Sequence, residues 1–234
     1  MSSYNSTSNQ PIYLITDGWR LRSSGLLVEA VCSALEGAGG AIGAVQLREQ
    51  VVPSISETGQ KPATDEDVIA LYNQLRPICE SHRAKLLINR RVDLAKRLGA
   101  DGVHLPSDNL DIQGARNVLG ENSRIGISVH SIEEAKHAAK QNPDYILFGP
   151  VFPPHSKPLT REPLGIANLK EAVGEVTCPI YALGGMDRDR TSQVAESGAC
   201  GVAIIGSVLL STDPRNAAKE IAQKWFAWVS SVNA

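Results

Sequence analysis

The chain has 234 residues, of which 42% are hydrophobic and 21% are charged, and its formal net charge is -2. These values are ordinary for one globular domain with a substantial core. The mixed charges exclude the basic surface of a nucleic-acid-binding protein and the polybasic patch of a membrane-surface protein. We therefore expect small-molecule partners, no nucleic acid and no membrane, and we leave a homo-oligomer open.

The polar segment at residues 1–10, MSSYNSTSNQ, is expected to form a disordered leader before a single domain at residues 11–234. It has neither the charged end nor the apolar run of a signal peptide, and no apolar stretch of roughly eighteen residues follows it. We therefore expect a cytoplasmic location. The four cysteines lie far apart, so we expect neither a disulfide framework nor a zinc site; they are Cys32, Cys79, Cys178 and Cys200.

Short apolar runs alternate with helix-like segments along the rest of the chain. The candidate strands are IYLIT at 12–16, IGAVQL at 42–47, LLIN ending at Asn89, GVHL at 102–105, IGIS at 125–128, YILFG at 145–149, IYALG at 180–184 and GVAIIG at 201–206. Most are continuously apolar, which is typical of parallel strands covered on both faces. Segments between them, such as LLVEAVCSALEGAG and SIEEAKHAAKQ, have the three- and four-residue apolar spacing of helices.

Two similar segments suggest a repeated strand-helix unit. GADGV at 99–103 and GACGV at 198–202 each close a helix with glycine and a small residue and then begin a strand. Eight such units predict a single (β/α)8 TIM barrel, with an open doubly wound sheet as the alternative. A long loop at 51–63 would then overhang the active-site face, and whether it closes over the site is left open.

Polar residues follow most of the predicted strands. In a barrel the carboxyl ends of the strands and the loops after them build the active site. We therefore predict a binding site from residues at these ends: Asp17, Gln46, Arg48, Asn89, Arg90, Ser128, His130, Ser156 and Lys157. His104 is predicted to be a packed core or rim histidine, and Arg91 to lie on a solvated helix face.

Glycine-rich turns follow the seventh and eighth strands, in ALGGMD and IIGSVL. Barrels often bind phosphate there, because glycine lets backbone amides approach an anion. We predict a phosphate site formed by Gly184, Gly185, Ile205, Gly206 and Ser207, and the alternative is that the glycines only form turns.

The segments IYLITD, VQLRE, LLINRRVDLA, GADGVHL, GISVHSIEEA, DYILFGPVFPPHSK, IYALGGM and GACGVAIIGS resemble the thiamine phosphate synthase family, which includes the TenI-like thiazole tautomerases. The resemblance runs from about residue 11 to about residue 226 in the family order. It implies one of two reactions. A synthase joins hydroxymethylpyrimidine diphosphate to thiazole phosphate with magnesium held by two acidic residues. A tautomerase shifts a proton on a thiazole phosphate carboxylate without a metal.

This chain departs from the synthase pattern at both acidic positions. Arg90 and Asn109 stand there, and Gln50 replaces a lysine; only Asp108, one residue away, is a substitute carboxylate. Magnesium prefers charged oxygen ligands, so we expect no cofactor, and Mg²⁺ at Asp108 or Asn109 only if the synthase alternative holds.

The segments HLPS and SVHS match the tautomerase side, where the resemblance assigns proton transfer to the position of His130. Imidazole can accept and return a proton near neutral pH. We therefore expect a thiazole tautomerase with His130 as the catalytic residue and Arg90, beside Arg48, as the partner of the substrate carboxylate. The alternatives are a synthase in which Arg90 and Lys157 screen pyrophosphate, a catalytically silent phosphate-ligand-binding or regulatory relative, and a His130 that only caps the following helix.

Overall fold

The computed structural model describes residues 10–17, 26–48, 63–153 and 161–232. The predicted leader, apart from Gln10, and the 51–63 loop, apart from Ala63, lie outside this part of the chain. The strands are β1 (Ile12–Ile15), β2 (Ile42–Leu47), β3 (Lys85–Asn89), β4 (Gly102–Leu105), β5 (Arg124–Val129), β6 (Tyr145–Phe148), β7 (Ile180–Leu183) and β8 (Gly201–Ile204). The helices are α1 (Leu27–Gly37), α2 (Asp65–Ser81), α3 (Val92–Leu98), α4 (Ile112–Leu119), α5 (Ile132–Ala139), α6 (Gly165–Glu175), α7 (Arg188–Glu196), α8 (Gly206–Leu209) and α9 (Pro214–Val232).

The strands form a closed parallel barrel in chain order, because β8 pairs with β1 as well as with β7. This confirms the predicted TIM barrel and removes the open sheet. Each predicted strand is present, although several end one or two residues earlier than the apolar run, as β8 does at Ile204. The residues beyond those ends leave the ladder to form the loops at the mouth.

Side chains alternate between two apolar clusters along most of the strands, as the pleat requires. On β1, Ile12 and Leu14 belong to the large cluster between barrel and helices, whereas Tyr13 and Ile15 belong to a small cluster with Leu147. The small cluster fills the barrel interior. Every second position on a strand therefore faces the barrel interior, near either its base or its mouth.

Tyrosine rings fill the base of the barrel. The ring centroids of Tyr13 and Tyr145 are 5.2 Å apart, and Tyr181 lies 6.1 Å from both. A Cβ atom at Gly126 would lie 1.9 Å from the Tyr145 ring, so glycine at that interior position makes room for the aromatic side chain. Bulky rings at the base leave the polar interior positions to the opposite end.

In two of the strand pairs, an aspartate just before one strand binds the backbone of the neighbouring strand. Asp101 accepts a hydrogen bond from the amide of Leu86 at 2.8 Å and pairs with Arg76, while Asp144 accepts from Ile125 at 2.7 Å and pairs with Arg116. The first of these lies in GADGV, where Gly99 ends α3 in the left-handed conformation with a φ of 60°. The repeated motif therefore connects a helix end to the next strand pair.

No helix in the described ranges is both long and apolar enough to cross a membrane.

Candidate active site at the barrel mouth

A cavity of about 820 Å³ opens at the carboxyl ends of the strands. Twelve of the residues predicted for the site line it: Asp17, Gln46, Arg48, Asn89, Arg90, Ser128, His130, Gly184, Gly185, Ile205, Gly206 and Ser207. His104 lines it as well. Ser156 and Lys157 lie outside the described residues. The barrel thus brings these residues from seven of the eight strand ends to one cavity, and their individual roles stay predictions.

His130 follows β5 and is held by one contact of its ring and one of its main-chain amide. Its Nδ1 atom forms a short hydrogen bond with the carbonyl oxygen of Gly149, and its amide donates to Glu134 at 2.6 Å. A carbonyl oxygen only accepts, so Nδ1 carries the proton in the neutral ring and Nε2 is left with its lone pair. A histidine fixed in this way offers one basic nitrogen.

The cap of α5 is supplied by Ser131, not by His130. The Ser131 hydroxyl accepts from the amide of Glu134 at 3.0 Å, and the Glu134 side chain returns to the His130 amide. The capping alternative for His130 is therefore wrong, because the serine that follows it already satisfies the helix terminus. The imidazole ring is available to line the cavity.

Arg90 binds Asp108 at the rim of the mouth, between the adjacent loops after β3 and β4. Its Nη2 lies 3.0 Å from Oδ1 and 2.9 Å from Oδ2 of Asp108, and the two side chains are 52% and 65% exposed. An ion pair this exposed contributes at most about 1 kcal/mol, so an incoming anion can compete for the guanidinium. Arg90 also has a φ of 66°, and its amide donates to the carbonyl of His104 at 2.8 Å.

Arg91 is bound more firmly than its predicted position on a solvated face implies. It is the residue before α3 and its guanidinium contacts the carboxylates of Asp93 and Asp65 at 2.7 to 2.8 Å. The hydrogen bonds to Asp93 and Asp65 raise the pKa of Arg91. Arg91 therefore joins the starts of α2 and α3 at the rim, and Arg90 is the neighbouring arginine with the weaker attachment.

Two buried polar atoms near the cavity have no hydrogen-bond partner in the described part of the chain. They are Oε1 of Gln46 and the hydroxyl oxygen of Ser207, and both residues line the cavity. The Nε2 of Gln46 donates to Asn89 Oδ1 at 2.7 Å, which fixes the amide with its oxygen unpaired. An unsatisfied buried polar atom costs about 1 to 3 kcal/mol, so a ligand that pairs with it gains affinity.

The packing around the turn after β7 requires its two glycines even in the absence of a ligand. Gly184 and Gly185 have φ of 98° and 60°, and an added Cβ would lie 2.6 Å from Pro150 and 2.4 Å from the carbonyl of Pro153. Glycine is required because the loop after β6 packs directly on this turn. The predicted phosphate role of both residues is compatible with this packing and is not demonstrated by it.

His104 is buried, as predicted, with 2% of its surface exposed. Burial, followed by the charge of Arg48, lowers its pKa to about 3. Its ring lies between two hydroxyl groups, with Nε2 2.8 Å from Ser128 Oγ and Nδ1 3.2 Å from Tyr145 Oη. It is therefore a neutral, hydrogen-bonded member of the site floor and not an inert core residue.

Besides Arg91, which was assigned to a solvated helix face, sequence reasoning missed three polar residues that line the cavity: Asp65, Ser107 and Arg161. Ser107 follows β4 and could have been found by extending the count of strand-end residues by two positions. Asp65 begins α2 and Arg161 precedes α6, so both lie far along the chain from a strand end. No signal in the sequence places either at the mouth.

The residues at the positions implied for magnesium do not fit that ion. Asp108 is paired with Arg90, whose guanidinium takes the place of a second carboxylate, and Asn109 is neutral. Within the ranges that the structure describes, no group of three or more His, Cys, Asp or Glu side chains could hold a metal. Magnesium in proteins is bound mainly through charged carboxylates, so this donor set is a poor match.

Comparison with known proteins places the chain among proteins of one family. The family model described as thiamine monophosphate synthase matches residues 12–208. A putative thiamine-phosphate synthase of Geobacter sulfurreducens is 36% identical over 211 residues, covering 90% of this chain and 92% of that protein. A thiamine-phosphate synthase of Clostridium novyi is 34% identical over 214 residues, covering 92% and 98%. The structure of a thiamine phosphate pyrophosphorylase from Pyrococcus furiosus is 31% identical, with a TM-score of 0.77 and coverage of 94% and 98%.

Proposed function

This chain belongs to the thiamine monophosphate synthase family, and we propose that it is an enzyme of thiamine biosynthesis that binds a thiazole phosphate at the barrel mouth. Within that assignment we propose metal-independent tautomerisation of a thiazole phosphate carboxylate. The observation that supports this reaction is the Arg90–Asp108 pair, which puts a cation at the position where magnesium ligands are expected. The proposal includes a cytoplasmic location.

His130 is the proton carrier in this proposal. Its Nδ1 is hydrogen-bonded to Gly149, so Nε2 is the nitrogen that acts as a base on the substrate. Once Nε2 has accepted a proton, it acts as the acid. The base removes one proton from the thiazole ring system, and a proton returns at another ring-system atom, so that composition and charge are unchanged and the ring becomes aromatic. Such a step requires no electron acceptor and no leaving group.

The two anionic ends of the substrate fit the charges and amides of the mouth. The phosphate is assigned to the turns holding Gly185 and Gly206, where the unpaired Ser207 hydroxyl is available to donate. The carboxylate is assigned to Arg90, which can release Asp108 because the ion pair is exposed, with Arg48 nearby on the same wall. Gln46, Asn89 and Ser128 are assigned to the heterocycle between these ends.

The second candidate is the coupling reaction of a thiamine-phosphate synthase. The names of the relatives favour it, since those from Geobacter sulfurreducens, Clostridium novyi and Pyrococcus furiosus are all named for that reaction or its reverse and none for tautomerisation. In that case Arg90 and Lys157 would balance the charge of the departing pyrophosphate. The residues at the metal positions argue against it.

Two parallel incubations test the assignment. The purified chain is given the non-aromatic thiazole phosphate carboxylate in chelator, and separately hydroxymethylpyrimidine diphosphate, thiazole phosphate and magnesium. We expect aromatisation in the first and no thiamine phosphate in the second. Product only in the second tube would make the synthase the correct assignment. A protein that binds thiazole phosphate but converts neither set of substrates would be a catalytically inactive, ligand-binding member of the family.

A further inference from the structure

Four side chains form a continuous hydrogen-bonded chain along the inside of the barrel. The hydroxyls of Tyr13 and Tyr145 are 2.7 Å apart, the Tyr145 hydroxyl is 3.2 Å from His104 Nδ1, and His104 Nε2 is 2.8 Å from the Ser128 hydroxyl. Tyr13 lies at the base of the barrel, and Ser128 lines the cavity at the mouth. We call this set the axial chain.

Each member of the axial chain carries one movable proton. Tyr13, His104 and Tyr145 are 2 to 3% exposed, and burial raises the pKa of both tyrosines while it lowers that of His104. The tyrosines are therefore protonated and the imidazole is neutral. A neutral imidazole has one N–H and one acceptor nitrogen, so the tautomer decides which neighbour receives its hydrogen.

The axial chain has one more movable proton than it has hydrogen bonds. The four groups carry four protons, whereas the axial chain contains three hydrogen bonds that use one proton each. If every bond runs toward the mouth, Tyr13 donates to Tyr145, Tyr145 donates to His104 Nδ1, and His104 Nε2–H donates to Ser128, whose own O–H is left over. If every bond runs toward the base, the left-over O–H belongs to Tyr13.

The two ends differ in what they offer a left-over donor. At the base, the only hydrogen-bond partner of the Tyr13 hydroxyl among the described residues is Tyr145. The adjoining space of about 90 Å³ is lined by Arg124, whose guanidinium cannot accept, and by Gln10 and Tyr181, which could accept but form no hydrogen bond with the Tyr13 hydroxyl. At the mouth, Ser128 faces a cavity of about 820 Å³. A buried donor without a partner costs about 1 to 3 kcal/mol, so the arrangement toward the mouth is favoured.

We infer that His104 is a positioning residue that holds the Ser128 oxygen as an acceptor, so that the Ser128 hydroxyl donates its hydrogen into the cavity. The ligand atom facing Ser128 is then a hydrogen-bond acceptor, such as an anionic oxygen or an unprotonated ring nitrogen. A ligand N–H at that point would face a serine oxygen already bonded by His104. The identification of this acceptor with an atom of the thiazole substrate rests on the proposed function; the direction of the axial chain does not.

The tautomer of His104 can be measured directly in the full-length protein. The chain has five histidines, so ¹⁵N-labelled histidine and a long-range ¹H–¹⁵N correlation spectrum give a small set of ring signals. The signals of His104 are those lost in His104→Gln. We expect a single neutral Nε2–H form that is the same at about pH 6 and about pH 8. An Nδ1–H form, a mixture of the two, or an imidazolium would overturn the inference.

Two matched variants test whether the axial chain holds that tautomer. Tyr145→Phe removes the donor to Nδ1, and we expect the single Nε2–H form to become a mixture. Tyr13→Phe removes the hydroxyl one bond further away and should leave the form unchanged. Circular dichroism and thermal unfolding establish that each variant is folded. A single Nε2–H form in folded Tyr145→Phe would mean that the axial chain does not set the tautomer; should that variant not fold, the wild-type spectrum decides alone.

The last arm connects the tautomer to ligand binding. Tyr145 does not line the cavity, so in the tautomerase assay we expect Tyr145→Phe to raise KM several-fold with a smaller change in kcat, and Tyr13→Phe to change neither. Equal effects of the two variants on KM would contradict a positioning role for His104. If the wild type is inactive on the thiazole substrate but shows the single Nε2–H form, the proposed function fails and the inference on His104 stands.

Discussion

The guanidinium of Arg90 bridges the adjacent loops after β3 and β4 to reach Asp108, with both carboxylate oxygens within 3.0 Å of Nη2. Arg90 stands at one of the two positions where the family resemblance implies a carboxylate for a metal, and Asp108 lies one residue from the other. A cation therefore neutralises the carboxylate that a metal would need, and the same cation can transfer to an anionic ligand because both side chains are more than half exposed.

We predict that the activity of the wild type is unchanged in excess chelator and that magnesium titration shows no saturable heat below millimolar concentrations, measured by calorimetry. Arg90→Asp should create a carboxylate pair with Asp108 and gain weak magnesium binding. Arg91→Ala, which removes the neighbouring arginine but no competitor for Asp108, is the control and should not gain it. Activity that collapses in chelator and returns with magnesium would contradict the metal-independent assignment.

His130→Asn should lower kcat by roughly a hundredfold or more, the usual scale of general acid-base catalysis, because asparagine keeps a similar size but cannot carry a proton. Binding of thiazole phosphate, measured by calorimetry, should be nearly unchanged. His137→Asn, an exposed histidine on the adjacent helix, is the control and should keep wild-type turnover. A His130→Asn variant with near wild-type kcat would leave the histidine with a structural role only.

Ser207→Ala should weaken the affinity for inorganic phosphate by about tenfold or more, the loss expected for one hydrogen bond to a charged group. Its stability should stay equal or rise slightly, since the buried hydroxyl has no partner within the described ranges. Phosphate binding is measured by calorimetry and stability by thermal unfolding. Ser197→Ala is the contrasting variant, because its buried hydroxyl donates to Val194 at 2.6 Å and its loss should destabilise without affecting phosphate. Unchanged phosphate affinity in Ser207→Ala would remove Ser207 from the phosphate site.

The buried imidazole of His104 makes folding sensitive to acid. Its pKa is about 3 in the folded protein and about 6.5 in an unfolded chain. Between those values the unfolded state binds more protons, so stability is full above about pH 6.5 and falls by up to ~1.4 kcal/mol per pH unit as pH decreases toward 3. His104→Gln cannot titrate and should show a shallower loss, measured by urea unfolding at successive pH values. If the stability of the two proteins falls equally with decreasing pH, His104 is not the cause of the acid sensitivity.

Gly184→Ala should destabilise the fold by more than about 1 kcal/mol, because its φ of 98° disfavours a side chain and the added methyl group would lie 2.6 Å from Pro150. Gly174→Ala is the matched control. Gly174 lies near the end of α6 with nothing within 4 Å of an added Cβ, and alanine there should stabilise by up to about 1 kcal/mol. Thermal unfolding of both variants checks the pair. Equal stability of Gly184→Ala and the wild type would show that the loop after β6 can move aside.

The sequence by itself determined the barrel, because continuous apolar strands and amphipathic helices in strict alternation have few ways to bury both faces. It also determined which strand-end residues come together at the mouth, since strand ends of a closed parallel barrel share one edge, although not the residues that reach the mouth from helix starts and longer loops. Arg90, Ser128 and His130 were therefore found without a structure. The hydrogen-bond and ion-pair partners of these side chains could not be predicted, because the pattern indicates where a strand ends but not where a side chain points.

Only the tertiary structure decided which contacts those residues make. Asp108 lies 18 residues from the arginine that it binds, and Tyr145 lies 41 residues from the histidine whose Nδ1 it faces. Contacts at such separations depend on barrel closure and on ring-sized spaces made by glycine, as at Gly126 beside Tyr145. The sequence could predict His104 as buried, but its place in a directed hydrogen-bonded chain follows from distances between atoms on four different strands.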